Sequence, residues 1–219
     1  LAAEGLHVLV HANQNLDRAR QVVEKIQSAG QSAETACFDI SDRKSTSHCL
    51  DNILESGPVQ VLVNNAGVHD DASMAGMSYE QWDRVIQTTL NGFFNVTQPL
   101  LLPMIRTRWG RVISISSITG VTGNKGQTNY AAAKSGLHGA SKSLSKEVAS
   151  RGITVNVVAP GIIQSLSTDE HFSDTDVKNL IPMKRRGTPQ EIADVVVFLA
   201  SEKASYISGQ ILNVNGGMC

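Results

Sequence analysis

Two kinds of segment alternate along the chain: short runs rich in β-branched residues, and longer stretches with an apolar residue every three or four positions. The short runs are HVLVHA from His7, TACFDI from Thr35, VQVLVNNAG from Val59, RVISIS from Arg111, ITVNVVAPG from Ile153 and QILNVNGG from Gln210. Most are apolar on both faces, as strands covered by helices above and below must be. Between them run helical stripes: Leu16, Ala19, Val22, Val23 and Ile26; Leu50, Ile53 and Leu54; and Trp82, Val85, Ile86, Leu90 and Phe93. Ser78 with Gln81, and Thr188 with Pro189 and Glu191, have the spacing of capping boxes at helix starts. This alternation predicts an α/β fold with a doubly wound parallel sheet between helical layers, in a single domain over 1–219. The polar stretch 162–187 breaks the pattern after a strand end and is expected to be a lid over a substrate site, or else a surface helix with loose flanks.

Composition narrows the function classes. The chain is 41% hydrophobic and 18% charged with a net charge of -1, so no overall field draws it to nucleic acid or an anionic membrane. Its apolar runs fall far short of the ~20 residues a membrane helix needs. Cys37, Cys49 and Cys219 are scattered and odd in number, which fits a reducing cytoplasm better than a disulfide framework. The six histidines show no metal-ligand spacing, so no metal site is expected.

In TNYAAAKSG, Tyr130 and Lys134 fall one turn apart near the start of a helix predicted from about 128 to 149 and stopped by Gly152. An ammonium near a phenol favours the phenolate, so the pair is expected to lower the tyrosine pKa and equip it to exchange a proton with an alcohol or ketone oxygen. Alanines 131 to 133 and the glycines at 136 and 139 are expected to admit a helix or a flat ligand close to the backbone. The spacing alone also occurs on ordinary surface helices. Ser117 at the end of the preceding strand, Asn91 in the third helix and Asn64 with Asn65 at a strand end add to it, although each also reads as a turn or solvated residue.

Together NNAG at 64 to 67, Asn91 in TTLNG, Ser117 in ISISSITG, Tyr130 and Lys134 in YAAAK, and PG at 160 to 161 resemble the short-chain dehydrogenase/reductase family. The flanks GQTNYAAAKSGL, EVASRGITVNVVAPG, DVVVFLAS and LNVNGGM are most similar, within it, to the 3-oxoacyl-[acyl-carrier-protein] reductases of bacterial fatty-acid synthesis. The resemblance implies a three-layer Rossmann-like fold and a catalytic tetrad. Tyr130 would be the acid, Ser117 would polarise the carbonyl, Lys134 would tune the tyrosine and hold the nicotinamide ribose, and Asn91 would anchor water behind the lysine. It implies cofactor contacts at Asn13, Asp39, Ile40, Asn64, Asn65, Ala66, Gly67, Tyr130, Lys134, Pro160, Gly161, Ile163 and Ser165. It also implies an acidic acyl-carrier protein docking near the cleft on Arg108 and Arg151, and a homotetramer.

Family members begin with a strand and a Gly-rich turn that cradles pyrophosphate, whereas LAAEGLHVLV resembles the end of the following helix running into the second strand. Either an amino-terminal segment lies outside this sequence, or the chain is shortened and binds dinucleotide poorly. Loss of a central strand would leave backbone groups unpaired and apolar faces bare. At the second strand's end, VHANQN offers His11, Asn13 and Gln14 and no carboxylate, which favours NADPH over NADH. Reduction of another carbonyl, such as an acyl-CoA, a sugar or a small ketone, and a non-catalytic scaffold are the alternatives. A serine hydrolase is excluded by the lack of any G-x-S-x-G.

Overall fold

The computed structural model describes residues 1–165 and 172–219. Strands β1 (Val8–Ala12), β2 (Ala33–Cys37), β3 (Val61–Asn64), β4 (Gly110–Ile115), β5 (Ile153–Pro160) and β6 (Ile211–Val214) pair in parallel throughout. The helices are α1 (Leu16–Ser28), α2 (Arg43–Glu55), α3 (Tyr79–Ile86), α4 (Gly92–Thr107), the one-turn α5 (Thr119–Thr122), α6 (Thr128–Val148), α7 (Asp174–Leu180) and α8 (Pro189–Ala200). The α/β reading therefore holds, but the strands form two sheets, β1-β2 and β3-β4-β5-β6. Among the described residues, β1 and β3 each leave one edge without a strand partner. The bare faces show in burial: all five residues of β1 are half-buried, whereas seven of the eight in β5 are buried.

Alternation along β4 and β5 builds the two cores. Val112 and Val155 point into a cluster with Leu50 of α2 and Leu100 and Met104 of α4, while Ile113 and Val158 face Val196, Leu199 and Ala200 of α8. Consecutive side chains leave opposite faces of a strand, so a strand covered on both sides must be apolar at every position. Each such side chain buried contributes about 1.5–3 kcal/mol of transfer free energy. Both expected capping boxes form, at Ser78 with Gln81 and at Thr188 with Glu191, and a third opens α7 at Ser173 with Asp176.

The third stripe is not one helix. Between α3 and α4 the chain makes a π-turn over Gln87–Asn91, where the Gly92 N–H reaches back five residues to the Gln87 carbonyl. Stretch 162–187 leaves and returns at one place: Gln164 N–H donates to Gly187 O (2.8 Å) and Gly187 N–H to Ile162 O (3.0 Å). The part of the expected lid at 166–171 lies outside the described residues.

Candidate active site

In a parallel sheet every strand ends at the same edge, so residues that follow strands collect there. Asn64 closes β3 and is followed by Asn65, Ala66 and Gly67; Ser117 follows β4; Pro160 and Gly161 close β5. The end of β2 is drawn to the same region, because Asn95 of α4 donates to the Ile40 carbonyl at 2.9 Å and Gly92 has no Cβ where Ile40 Cδ1 packs. His11 Nε2 lies 2.7 Å from the Phe38 carbonyl, and Cys37 Sγ donates to the Asn13 carbonyl, so the ends of β1 and β2 meet. Asp39 accepts both the hydroxyl and the N–H of Ser41, which hold its carboxyl below the usual range.

Tyr130 sits half-buried in the first turn of α6. Burial raises its pKa, the neighbouring Ser117 hydroxyl pulls the other way, and the nearby Asp71 carboxylate raises it further. The expected lowering by the lysine is therefore not what this geometry gives. Lys134 Nζ stands 5.6 Å from the ring centroid and donates to the Ile115 carbonyl at 2.7 Å. Ser117, Tyr130 and Lys134 are thus brought together, but with the phenol kept protonated at neutral pH.

Lys134 is 3% exposed, and desolvation brings its ammonium down to about 8 from 10.5. Between those values the unfolded chain binds the proton that the folded chain has released, so stability climbs as pH rises through this window. Below about pH 8 the fold bears the full burden of the buried charge. Lys134→Met is expected to raise stability at pH 7 by on the order of 2 kcal/mol, less what the orphaned Ile115 carbonyl takes back. Thermal melts should show that gain shrinking between pH 8 and 10.5; a constant gain across the window would refute the assignment.

Asn91 does not stand behind the lysine. It is exposed and its side chain donates to Gln87. The extra residue of the π-turn swings it away from the buried side. The inward residue is Thr89, 3% exposed, which shares the surroundings of Gly67 with Lys134 Nζ. Sequence reasoning also missed Asn129, fully buried, whose side chain donates to the carbonyls of Asp70 (2.9 Å) and Gln81 (3.1 Å) and accepts the Tyr130 N–H (2.8 Å). It ties the loop after β3 to the turn that carries the phenol. A buried Asn at a helix start was the available signal, and it reads equally well as a cap.

Gly136 does admit a close neighbour, since a Cβ there would lie 2.7 Å from Leu90 Cδ2, but nothing lies within 4 Å of such an atom at Gly139. Gly161 packs on the backbone of Asn215, and Ile163 pairs with Gly187 in an isolated bridge. Ser165 is exposed. Ser116, not Ser117, meets a histidine: its hydroxyl lies 2.7 Å from His138 Nε2 and donates to the Lys134 carbonyl (3.1 Å). At 4% exposure that serine is closed to substrate, so the hydrolase exclusion stands.

Arg108 and Arg151 are neighbours, with Arg108 Nη2 donating to the Ser150 carbonyl at 3.1 Å. They do not rim the cleft. Each precedes a strand whose far end holds Ser117 or Pro160, so they lie at the opposite edge of the sheet. Among the described residues no group of His, Cys, Asp or Glu is arranged to hold a metal, and no helix is long and apolar enough to cross a membrane. A flat dinucleotide suits the strand-end edge: Asn65, Ala66 and Gly67 are exposed, and Gly67 leaves open the space where a Cβ would stand 3.2 Å from Lys134 Nζ.

Comparison with known proteins agrees with this architecture. A family model described as enoyl-(acyl carrier protein) reductase matches residues 1–219. The 3-oxoacyl-[acyl-carrier-protein] reductase FabG of Aggregatibacter actinomycetemcomitans is 41% identical over all of this chain and 91% of its own length. The protein of the same name from Staphylococcus epidermidis is 42% identical over the same shares. That of Buchnera aphidicola is 51% identical over 73% of this chain and 66% of its own.

Proposed function

We propose that this chain, which belongs to the short-chain dehydrogenase/reductase family, reduces a 3-oxoacyl thioester on acyl-carrier protein to the 3-hydroxyacyl thioester of fatty-acid synthesis. The observation that carries the reading is one cluster at the strand-end edge: the half-buried Tyr130 phenol with the Ser117 hydroxyl near it and the buried Lys134 ammonium 5.6 Å from the ring centroid. The names of relatives that match the whole chain support it.

Tyr130 donates its proton to the substrate oxygen, and Ser117 hydrogen-bonds the same oxygen to hold it in place. The raised phenol pKa suits reduction, because the group stays protonated until a far more basic alkoxide forms beside it. Lys134, Asn64, Asn65, Ala66, Gly67, Asp39, Ile40, Asn13, Pro160, Gly161, Ile163 and Ser165 would hold a nicotinamide cofactor, which supplies the hydride when bound. NADPH is the form favoured, since the end of β1 carries no acid to repel a 2′-phosphate. At the base of the expected lid, Ile163 pairs with Gly187. A cytoplasmic homotetramer completes the proposal.

The test is an assay of acetoacetyl thioesters on carrier protein and on CoA, with NADPH and NADH in parallel. The carrier-bound substrate with NADPH is expected to be best. No turnover of either thioester would remove the reading.

A further inference from the structure

We propose that His138 is a positioning residue of the reductase: its Nε2–H holds the Ser116 hydroxyl, and through that hydroxyl it locks the end of β4 next to Ser117 onto the turn of α6 that carries Lys134. The inference rests on the reductase reading for its chemistry and on separate contacts for its place. His138 lies one turn beyond Lys134 on α6, half-buried, with Nε2 2.7 Å from Ser116 Oγ. The Ser116 hydroxyl also donates to the Lys134 carbonyl at 3.1 Å. A hydroxyl has one proton and a carbonyl can only accept, so that proton goes to the carbonyl and the imidazole is the donor to Ser116 Oγ. The contact therefore assigns the ring its Nε2–H tautomer. Burial, and after it the Lys142 ammonium one turn farther along α6, hold the ring below the usual histidine range, so it is neutral at neutral pH. The groups that β4 and α5 bring to this point, Ser116 and Gly120, carry no charge.

Three further contacts converge on the same serine. Its N–H donates to the Val158 carbonyl at 2.7 Å, which ties it to β5. Gly120 of α5 closes over it, since a Cβ there would stand 2.9 Å from Ser116 Oγ, 2.9 Å from Lys134 Cβ and 3.0 Å from the Lys134 carbonyl carbon. At 4% exposure Ser116 has no bulk water to replace a lost partner. Lys134 is thus gripped at both ends by consecutive residues of β4 and its end: its Nζ donates to the Ile115 carbonyl (2.7 Å), and its own carbonyl accepts from Ser116. Ser117 comes next in the chain, with its Oγ accepting the Thr119 N–H at 3.1 Å. A shift of Ser116 therefore moves the serine hydroxyl relative to the lysine, and a misplacement of about 1 Å can lower a rate by up to about a hundredfold. His138 acts only through Ser116.

Two measurements test this. Heteronuclear NMR of the full chain with labelled histidine should show the His138 ring protonated at Nε2 and not at Nδ1 at neutral pH. In steady-state kinetics His138→Leu, which keeps an apolar side chain and removes the donor, should lower kcat about fivefold with both KM values within about twofold. His138→Gln, whose amide N–H can serve the same oxygen, should keep kcat near the parent. In a Ser116→Ala background His138→Leu should add no further loss, because the chain of bonds is already cut. A histidine that merely packs would give a Leu variant with parental kcat, or the same loss in both backgrounds. Either result, or an Nδ1–H tautomer, overturns the proposal. If the parent reduces no thioester, the functional reading falls, while the tautomer seen by NMR still decides whether His138 holds Ser116.

Discussion

Tyr130→Phe is expected to lower kcat/KM for carbonyl reduction by about a hundredfold to ten-thousandfold, with the circular dichroism spectrum, Tm and cofactor affinity close to the parent. The ring stays; only the hydroxyl goes. What the ring packs against is unaffected, because the turn that carries it is fixed through the backbone by Asn129 and the Asp70 carbonyl. What disappears is the one proton donor that burial and Asp71 hold in its neutral form beside Ser117. Ser117 keeps a bond from the Thr119 N–H (3.1 Å), so the residual site can still orient a carbonyl without protonating the product. Turnover by the Phe variant at the parent rate would reject the acid assignment. A parallel loss of Tm would show that the hydroxyl is structural.

How much of this was legible depended on whether a feature is local. The six β-rich runs all overlap strands, since continuous apolar character over four to eight residues between turn signals survives any packing. The boundary of β2 did not survive: it covers Ala33–Cys37, earlier than TACFDI suggested, because Phe38 and Ile40 bury themselves under the strand end rather than within it. The π-turn was invisible, since one stripe of apolar residues runs through Trp82 to Phe93 whether or not an extra residue is inserted. Asn91, which the resemblance puts behind the lysine, is exposed in that turn, and Thr89 two positions earlier is buried. Asn129 escaped for another reason: its partners at Asp70 and Gln81 are 59 and 48 positions away, and no local pattern announces them. The position of Arg108 and Arg151 was legible in principle. Both come immediately before a parallel strand, which by chain direction alone sets them at the edge opposite Ser117.

That opposite edge is also where the largest stability effect is expected. Gly152→Ala should cost roughly 3 kcal/mol or more, a fall in Tm of about 10 °C for a chain of this size. Gly152 has φ +73, and a Cβ there would stand 2.3 Å from the Arg108 carbonyl oxygen and 3.2 Å from its carbon. Backbone cannot swing aside as a flexible side chain does. Arg108 is itself left-handed at φ 54, capping α4, and two residues later Gly110 enters β4 in register with Ile153. Relief would need β5 to slide from β4 where Ile153 is 1% exposed, or the α4 cap to open. Gly30→Ala supplies the control, because Gly30 has nearly the same φ, +75, with nothing within 4 Å of the added atom. It should lose only the conformational share, about 1 kcal/mol. Equal melting temperatures for the two variants would mean that the contact between the starts of β4 and β5 is not tight.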